Sequence, residues 1–347
     1  MLDKLTIVIP THNRHHLLES RALPYFLEFG VHLLVIDSSL EPHLSSQNNP
    51  DIDYVHCPDE PLPHKMKKPV LERVKTPYMM MNADDTLASK QGIIDCISFL
   101  EKNPDYSSAD GLVLQCYHDD KEHIGVTQRL EDHLIQADSD RAEERLLQNF
   151  IVFHSLFYAV QRTDCWKETF KRLPPEIVNH YLNETYMVAM TLLHGKNISL
   201  PVFFNATEAG PSLFGHDKRY YCSPHKLGIE NRYRGEVEAT KKAVSAYLAE
   251  QASMTEEKSQ TYIEGALALY WGRSREPKTF EDRLKKEWNS FLNKTFKKKK
   301  FKELKAQKKI QIKEQQQLET EQVLEAIGEE GRKDFERLIK IVQTTVM

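Results

Sequence analysis

The first half of the chain is built from short runs of apolar residues with almost no polar interruption, each followed by a segment of helical periodicity. The runs are "LTIVIP" (Leu5 to Pro10), "VHLLVID" (Val31 to Asp37), "IDYVHC" (Ile52 to Cys57), "YMMMN" (Tyr78 to Asn82) and "GLVLQCY" (Gly111 to Tyr117). A strand with one face in water alternates apolar and polar residues. A run that stays apolar is covered on both faces, as strands are in a parallel sheet with helices on either side. Parallel neighbours need crossover connections, usually helical. The intervening segments supply them: "RHHLLESRALPYFLEF", interrupted by Pro24, "HKMKKPVLERVK", which contains Pro69, and "QGIIDCISFLEKNP", stopped by Pro104. The pattern predicts an α/β domain with a mostly parallel sheet.

Further on, the stretch from about Tyr117 to Gln148 is polar and reads as a surface excursion. "SLFYAVQRT" (Ser155 to Thr163) returns to strand character, and "DCWKETFKRL" reads as a short helix. "PPEIVNHYLNETYMVAMTLLHGK" reads as a long helix opening on its prolines and ending at Gly195, before the strand "NISLPVFFNAT". After Gly210 two amphipathic helices follow, and from about Phe291 the composition turns basic and then Gln/Glu-rich. Three units are expected: residues 1–210, a helical unit over 211–290, and a helical tail over 291–347.

In a sheet of this kind ligands bind at the carboxyl ends of strands. That rule selects Thr11 to Arg14, Asp37 to Ser39, and Asn82 to Asp85. The last group raises a physical question, because Asp84 and Asp85 are adjacent like charges and something must offset their repulsion. Solvent at a turn, a helix N-terminus and a divalent cation are the three answers open at this point. A general acid/base pair is disfavoured, since that chemistry places its carboxylates on separate elements. Mg²⁺ and Mn²⁺ take hard oxygen ligands, often one or two carboxylates plus substrate phosphates.

Taken in order, "TIVIPTHNR", "LLVIDSS" and "YMMMNADDTL" resemble the family 2 glycosyltransferases of GT-A (Rossmann-like) fold over roughly residues 4–205. The resemblance implies a nucleotide-sugar donor, most often a UDP-sugar, and an Mn²⁺ or Mg²⁺ cofactor. It places Thr11 and Arg14 in the nucleotide pocket, Asp37 on the nucleobase, and Asp84 and Asp85 at the metal and donor. Asn82 stands where many members carry an acid; it keeps a hydrogen bond to ribose but brings no charge. Counted back from Gly195, Glu184 falls at the position of the base that takes the acceptor proton in inverting transfer, with Asn183 at the preceding acid. Asp164 is a rival for that role.

Lys65 or Lys68 in "PLPHKMKKP" would meet the nucleotide, with Lys68 preferred. Arg162 would contact donor or acceptor, by likeness to a bacterial surface-polysaccharide subgroup. His216 would be a third metal ligand, with Lys218, Arg219 and His225 as further options in that loop. His15 and His16 read as ordinary helix surface. A sugar-phosphate nucleotidyltransferase is disfavoured, because "PTHNRHH" lacks the Gly-rich loop that cradles a triphosphate. A non-catalytic scaffold with a degenerate transferase domain is the alternative from another class.

The partners expected are a nucleotide-sugar and a glycan or lipid-linked acceptor. The net charge of −4 gives no sign of nucleic-acid binding. The segment Lys294–Lys313 holds ten lysines and one acid, which suits an anionic membrane surface. The helices beyond it suit a homodimer. Five widely spaced cysteines and the absence of a signal-like or membrane-spanning run lead to an expected cytoplasmic location, with peripheral attachment at the inner face of the membrane.

Overall fold

β1 (Leu5–Thr11) is buried at every position but Pro10, and its neighbours are parallel strands on both sides. The computed structural model describes residues 1–119, 123–128, 136–151, 153–209, 220, 222, 224–228, 230–273, 325 and 327–345. The basic segment Lys294–Lys313 and the loop with His216, Lys218 and Arg219 lie outside them. Among the described residues no helix is long and apolar enough to cross a membrane.

The other strands are β2 (His32–Asp37), β3 (Ile52–His56), β4 (Tyr78–Met81), β5 (Thr86–Ala88), β6 (Tyr106–Asp119), β7 (His123–Gln128), β8 (Gln136–Ala137), β9 (Val160–Arg162) and β10 (Lys196–Ala209). They form one sheet in the order β3-β2-β1-β4-β9-β6-β10-β5, with β7 on β6 and β8 on β10. The β3-β2-β1-β4 half is parallel. β9 runs antiparallel to both β4 and β6, and β10 is parallel to β6.

Helices cover both faces. In chain order they are α1 (His15–Leu17), α2 (Leu23–Leu27), α3 (Leu44–Gln47), α4 (Leu62–Arg73), α5 (Lys90–Lys102), α6 (Ala142–Ile151), α7 (Thr163–Lys171), α8 (His180–His194), α9 (Pro224–Leu227), α10 (Arg234–Ala252), α11 (Glu256–Arg273) and α12 (Gly328–Thr345). Alternate residues of each central strand enter opposite cores. Ile7, Ile9, Leu33, Val35 and Met80 pack with residues of α2, α5 and α12. Val8, Leu34, Ile36, Met79 and Met81 pack with those of α4, α6, α7, α8, α10 and α11. This is why the runs read as uniformly apolar: each side chain has a hydrophobic layer to enter, whichever way it points.

Several boundaries differ from the sequence reading. α6 lies within the stretch read as a surface excursion, and its Leu146 and Phe150 are core residues. α8 starts after its prolines, at His180, because Asn179 caps it by accepting a bond from Leu182 N. Gly195 ends α8 in extended rather than left-handed conformation. Its need is space: a Cβ there would lie 2.9 Å from Asp105 O and Ser107 N. α10 and α11 share the core of α6 and α8, so the helical unit expected over 211–290 and the sheet domain have a common interior. The homodimer expectation meets a competing use of α12. Its Phe335 and Leu338 are buried in this chain's own core, and Asp334 accepts a 2.5 Å bond from Ser89, the N-cap of α5.

Candidate functional site

Because β1 lies between β2 and β4, the three strand ends selected from the sequence are neighbours in space. Ser38 N bonds Thr11 O at 3.1 Å, and Asn82 N bonds Val8 O at 2.9 Å. After β1 the chain turns at Asn13, which sits in the left-handed region at φ 54°, a conformation Asn tolerates better than most residues. The turn delivers Arg14 to the start of α1.

Arg14 answers the question of the paired acids. Its Nη1 lies 2.9 Å from Asp84 Oδ1 and its Nη2 lies 2.6 Å from Asp85 Oδ2. The other oxygens of the pair have partners as well. Thr11 Oγ1 donates to Asp84 Oδ2 at 2.8 Å, and Thr86 Oγ1 donates to Asp85 Oδ1 at 3.3 Å. Asp84 is buried and Asp85 half-buried. Burial pushes the Asp84 carboxyl up to about 6, with Arg14 opposing that shift and the Asp85 charge adding to it. A planar fork that serves two carboxylates at once is a task arginine performs and lysine does not.

Asn82 sits beneath this turn, fully buried. Its amide nitrogen donates to Ala83 O at 2.7 Å and Thr86 O at 2.6 Å, so it shapes the loop that presents the acids. Its Oδ1 is buried with no hydrogen-bond partner. The expected contact to ribose would need this side chain to leave the turn it braces.

Asp37 ends β2 and is also fully buried. Ser39 N donates to its Oδ1 at 2.8 Å. Tyr54 OH donates to Oδ2 at 2.6 Å, and His15 Nε2 lies 2.8 Å from the same oxygen. Burial alone would raise this carboxyl; the bonds from Ser39, Tyr54 and His15 outweigh it and hold the carboxyl below its usual value. His15 therefore belongs to the site rather than to an ordinary helix surface. Its ring also packs 5.0 Å from that of His43.

One lysine joins the two acidic centres, and it is Lys65. Its Nζ donates to Thr11 O at 2.8 Å and Ser38 Oγ at 3.0 Å. Burial lowers its pKa to about 8, against the attraction of charges that include Asp84 and Asp37. Lys68, chosen from the sequence, is exposed one turn further along α4. α4 turns its apolar stripe of Met66 and Val70 into the core, and Lys65 rather than Lys68 falls on the buried side.

Arg162 is at the wrong end of the sheet for the role expected of it. It pairs with Tyr78, at the start of β4, whereas the acids follow the end of that strand. Its guanidinium donates to Tyr106 O at 2.7 Å and Leu100 O at 2.6 Å, and those bonds tie the α5–β6 corner.

Glu184 lies half-buried in the first turns of α8 and accepts a bond from Ser155 Oγ. Ser155 precedes a short 3₁₀ turn, Leu156–Tyr158. Leu156 of that turn shares the core of Met79, Met81 and α8, so Glu184 is linked through it to the strand that carries the acidic turn. Asn183 is buried, and neither polar atom of its side chain has a partner. Asp164 is exposed in the first turn of α7. The residues passed over in the sequence were His15 and Tyr54; neither belongs to a motif, and each enters the site through its contact with Asp37.

No protein-family model matches the chain, and no curated protein matches its sequence. Solved structures do. The crystal structure of S. aureus TarS 1–349 aligns with a TM-score of 0.51 at 12% identity, covering 79% of this chain and 73% of TarS 1–349. The same protein in complex with UDP-GlcNAc aligns with a TM-score of 0.51 at 12% identity, covering 77% and 72%. At this identity the likeness establishes the fold: an α/β, GT-A-type sheet with helices on both faces.

Proposed function

We propose that this protein is an inverting glycosyltransferase. It takes a sugar from a nucleotide-sugar donor, with UDP-sugars as the first class to test. It transfers that sugar to a hydroxyl of a glycan or lipid-linked acceptor. The observation that carries the reading is the convergence of Thr11, Arg14, Asp37, Asp84 and Asp85 on three adjacent strand ends. The choice of UDP-sugars is supported by the TarS structure of like fold, which holds UDP-GlcNAc.

Asp84 and Asp85 offer oxygen donors only, which suits Mg²⁺ or Mn²⁺. Among the described residues no group of three or more His, Cys, Asp or Glu is arranged to hold a metal ion. The donor set thus fits a cation shared with a substrate diphosphate, not one caged by protein alone. Bound there, the ion would supply Lewis-acid neutralisation of the departing nucleoside diphosphate. The rest is done by the chain itself. Asp37, held by Ser39, Tyr54 and His15, anchors the nucleoside end of the pocket. Glu184, oriented by Ser155, takes the proton from the attacking acceptor hydroxyl. The basic segment Lys294–Lys313 would bring the enzyme to an anionic surface that carries such acceptors.

A thermal-shift panel of UDP, GDP and CMP compounds and their sugars, with and without Mn²⁺, tests the donor class. A ligand present at about 100 times its Kd stabilises the fold by roughly 2.7 kcal/mol, a clear rise in melting temperature. A panel in which no nucleotide moves the transition would remove the donor-site reading.

Lys65 gives a second test. Lys65→Met removes a buried cation, leaves Thr11 O and Ser38 Oγ without that donor, and takes one partner out of a buried charge network, which is destabilising. The melting temperature is expected to fall. UDP affinity is expected to fall about tenfold, roughly 1.4 kcal/mol, because the tie between Thr11 and Ser38 is lost. The pH dependence has a defined sign. The folded protein loses the Lys65 proton near pH 8, whereas the unfolded chain keeps it to about 10.4. The unfolded state binds more protons in that window, so wild-type stability gains with rising pH there. The variant should lack that gain.

A further inference from the structure

We propose that Arg14 is a resident counter-ion of the acidic turn: a divalent cation and the Arg14 guanidinium compete for Asp84 and Asp85, and the displaced guanidinium engages the donor diphosphate. The inference rests on the donor-site reading above and adds to it an exchange within the site.

The carboxylates of Asp84 and Asp85 are each held by one arm of the same guanidinium, at 2.9 and 2.6 Å. Two acids carry one charge more than Arg14 can neutralise. The fork therefore relieves the repulsion of the pair without closing the site to a cation of higher charge. Thr11 and Thr86 hold the remaining oxygens and keep both carboxylates in place whichever cation they face. Arg14 is the more accessible member of its pair with Asp84. It begins a three-residue helix directly after the left-handed Asn13, and its side chain keeps 16% of its surface exposed, against 3% for Asp84 and 21% for Asp85. Lys65 stays behind as a fixed charge, tied to Thr11 O and Ser38 Oγ. A guanidinium released beside a cation-bound diphosphate meets phosphate oxygens that its planar fork can hold bidentately.

The exchange makes opposite predictions for two ligands of one site, which a general folding defect would not. Mn²⁺ binding is measured by electron paramagnetic resonance on the full chain and on Arg14→Ala and Arg14→Gln, without nucleotide. Both variants are expected to bind Mn²⁺ at least about tenfold more tightly than wild type, since no internal cation competes. With Mn²⁺ saturating, calorimetry is expected to show both variants binding UDP at least about tenfold more weakly, with uridine affinity unchanged. Gln keeps most of the side-chain volume, so agreement of the two variants separates charge from packing. Equal Mn²⁺ affinity in wild type and variants would overturn the exchange while leaving the metal site standing. No Mn²⁺ binding by any of the three proteins would overturn the metal reading of Asp84 and Asp85, and the exchange with it.

Discussion

Replacing Glu184 by Gln is expected to lower kcat by about a thousandfold, within the 10²–10⁴ range contributed by a positioned general base, while leaving UDP binding intact. The glutamine keeps the length of the side chain and can still accept the Ser155 hydroxyl bond, so α8 should retain its start and its cap at Asn179. What it loses is the ability to take a proton from the acceptor. The signature is therefore a fall in turnover with an unchanged UDP-induced thermal shift. Should Glu184→Gln stay within tenfold of wild type while Asp164→Asn falls by orders of magnitude, the base would be Asp164 and the assignment wrong. The present geometry favours Glu184. It is half-buried and held by Ser155, on the segment that reaches β4, whereas Asp164 is exposed on α7.

Asp84→Asn and Asp85→Asn are each expected to reduce donor turnover by about 10²–10³-fold, roughly 3–4 kcal/mol, the loss typical of removing one preorganised electrostatic contact to a developing charge. Neither substitution should change stability much, for different reasons. Asp84 is the more deeply buried, and its charge is the one that burial opposes. Asparagine there removes that cost but also weakens the Arg14 fork, leaving little net change in melting temperature. Asp85 is more exposed, so its substitution should be close to neutral for folding. The decisive measurement is turnover at saturating Mn²⁺. Wild-type rates in both folded variants would mean that the acids serve only to hold Arg14.

How much of this could be read in advance varies from residue to residue. The ends of β1, β2 and β4 were legible because a strand covered on both faces must be apolar, and the first polar residue after it marks where the chain leaves the sheet. The positions of Thr11, Asp37 and Asn82 follow from that, and the rule that ligands sit at strand ends extends the choice to Arg14, Asp84 and Asp85. Lys65 and Lys68 lie one helical turn apart in "HKMKKP", and neither local periodicity nor composition says which of them faces the strand ends. Arg162 ends a strand much as Asp37 does, yet β9 runs antiparallel to β4, so the same local sign leads to the opposite end of the sheet. A single strand does not reveal its direction relative to partners distant in the chain. α12 is amphipathic in sequence, but an apolar stripe says only that something must cover it. Its cover is α5 and the Phe203 region of β10.

The sequence by itself thus determined the α/β class, the strands and the acids at their ends, because each follows from the periodicity of burial within a few consecutive residues. The partner of those acids was decided only in the tertiary structure. Arg14 is some seventy positions from Asp84 and Asp85 in the chain, and only the parallel pairing of β1 with β4 brings one cation between two anions. Electrostatic neutralisation depends on distance in space, and no local pattern carries that distance.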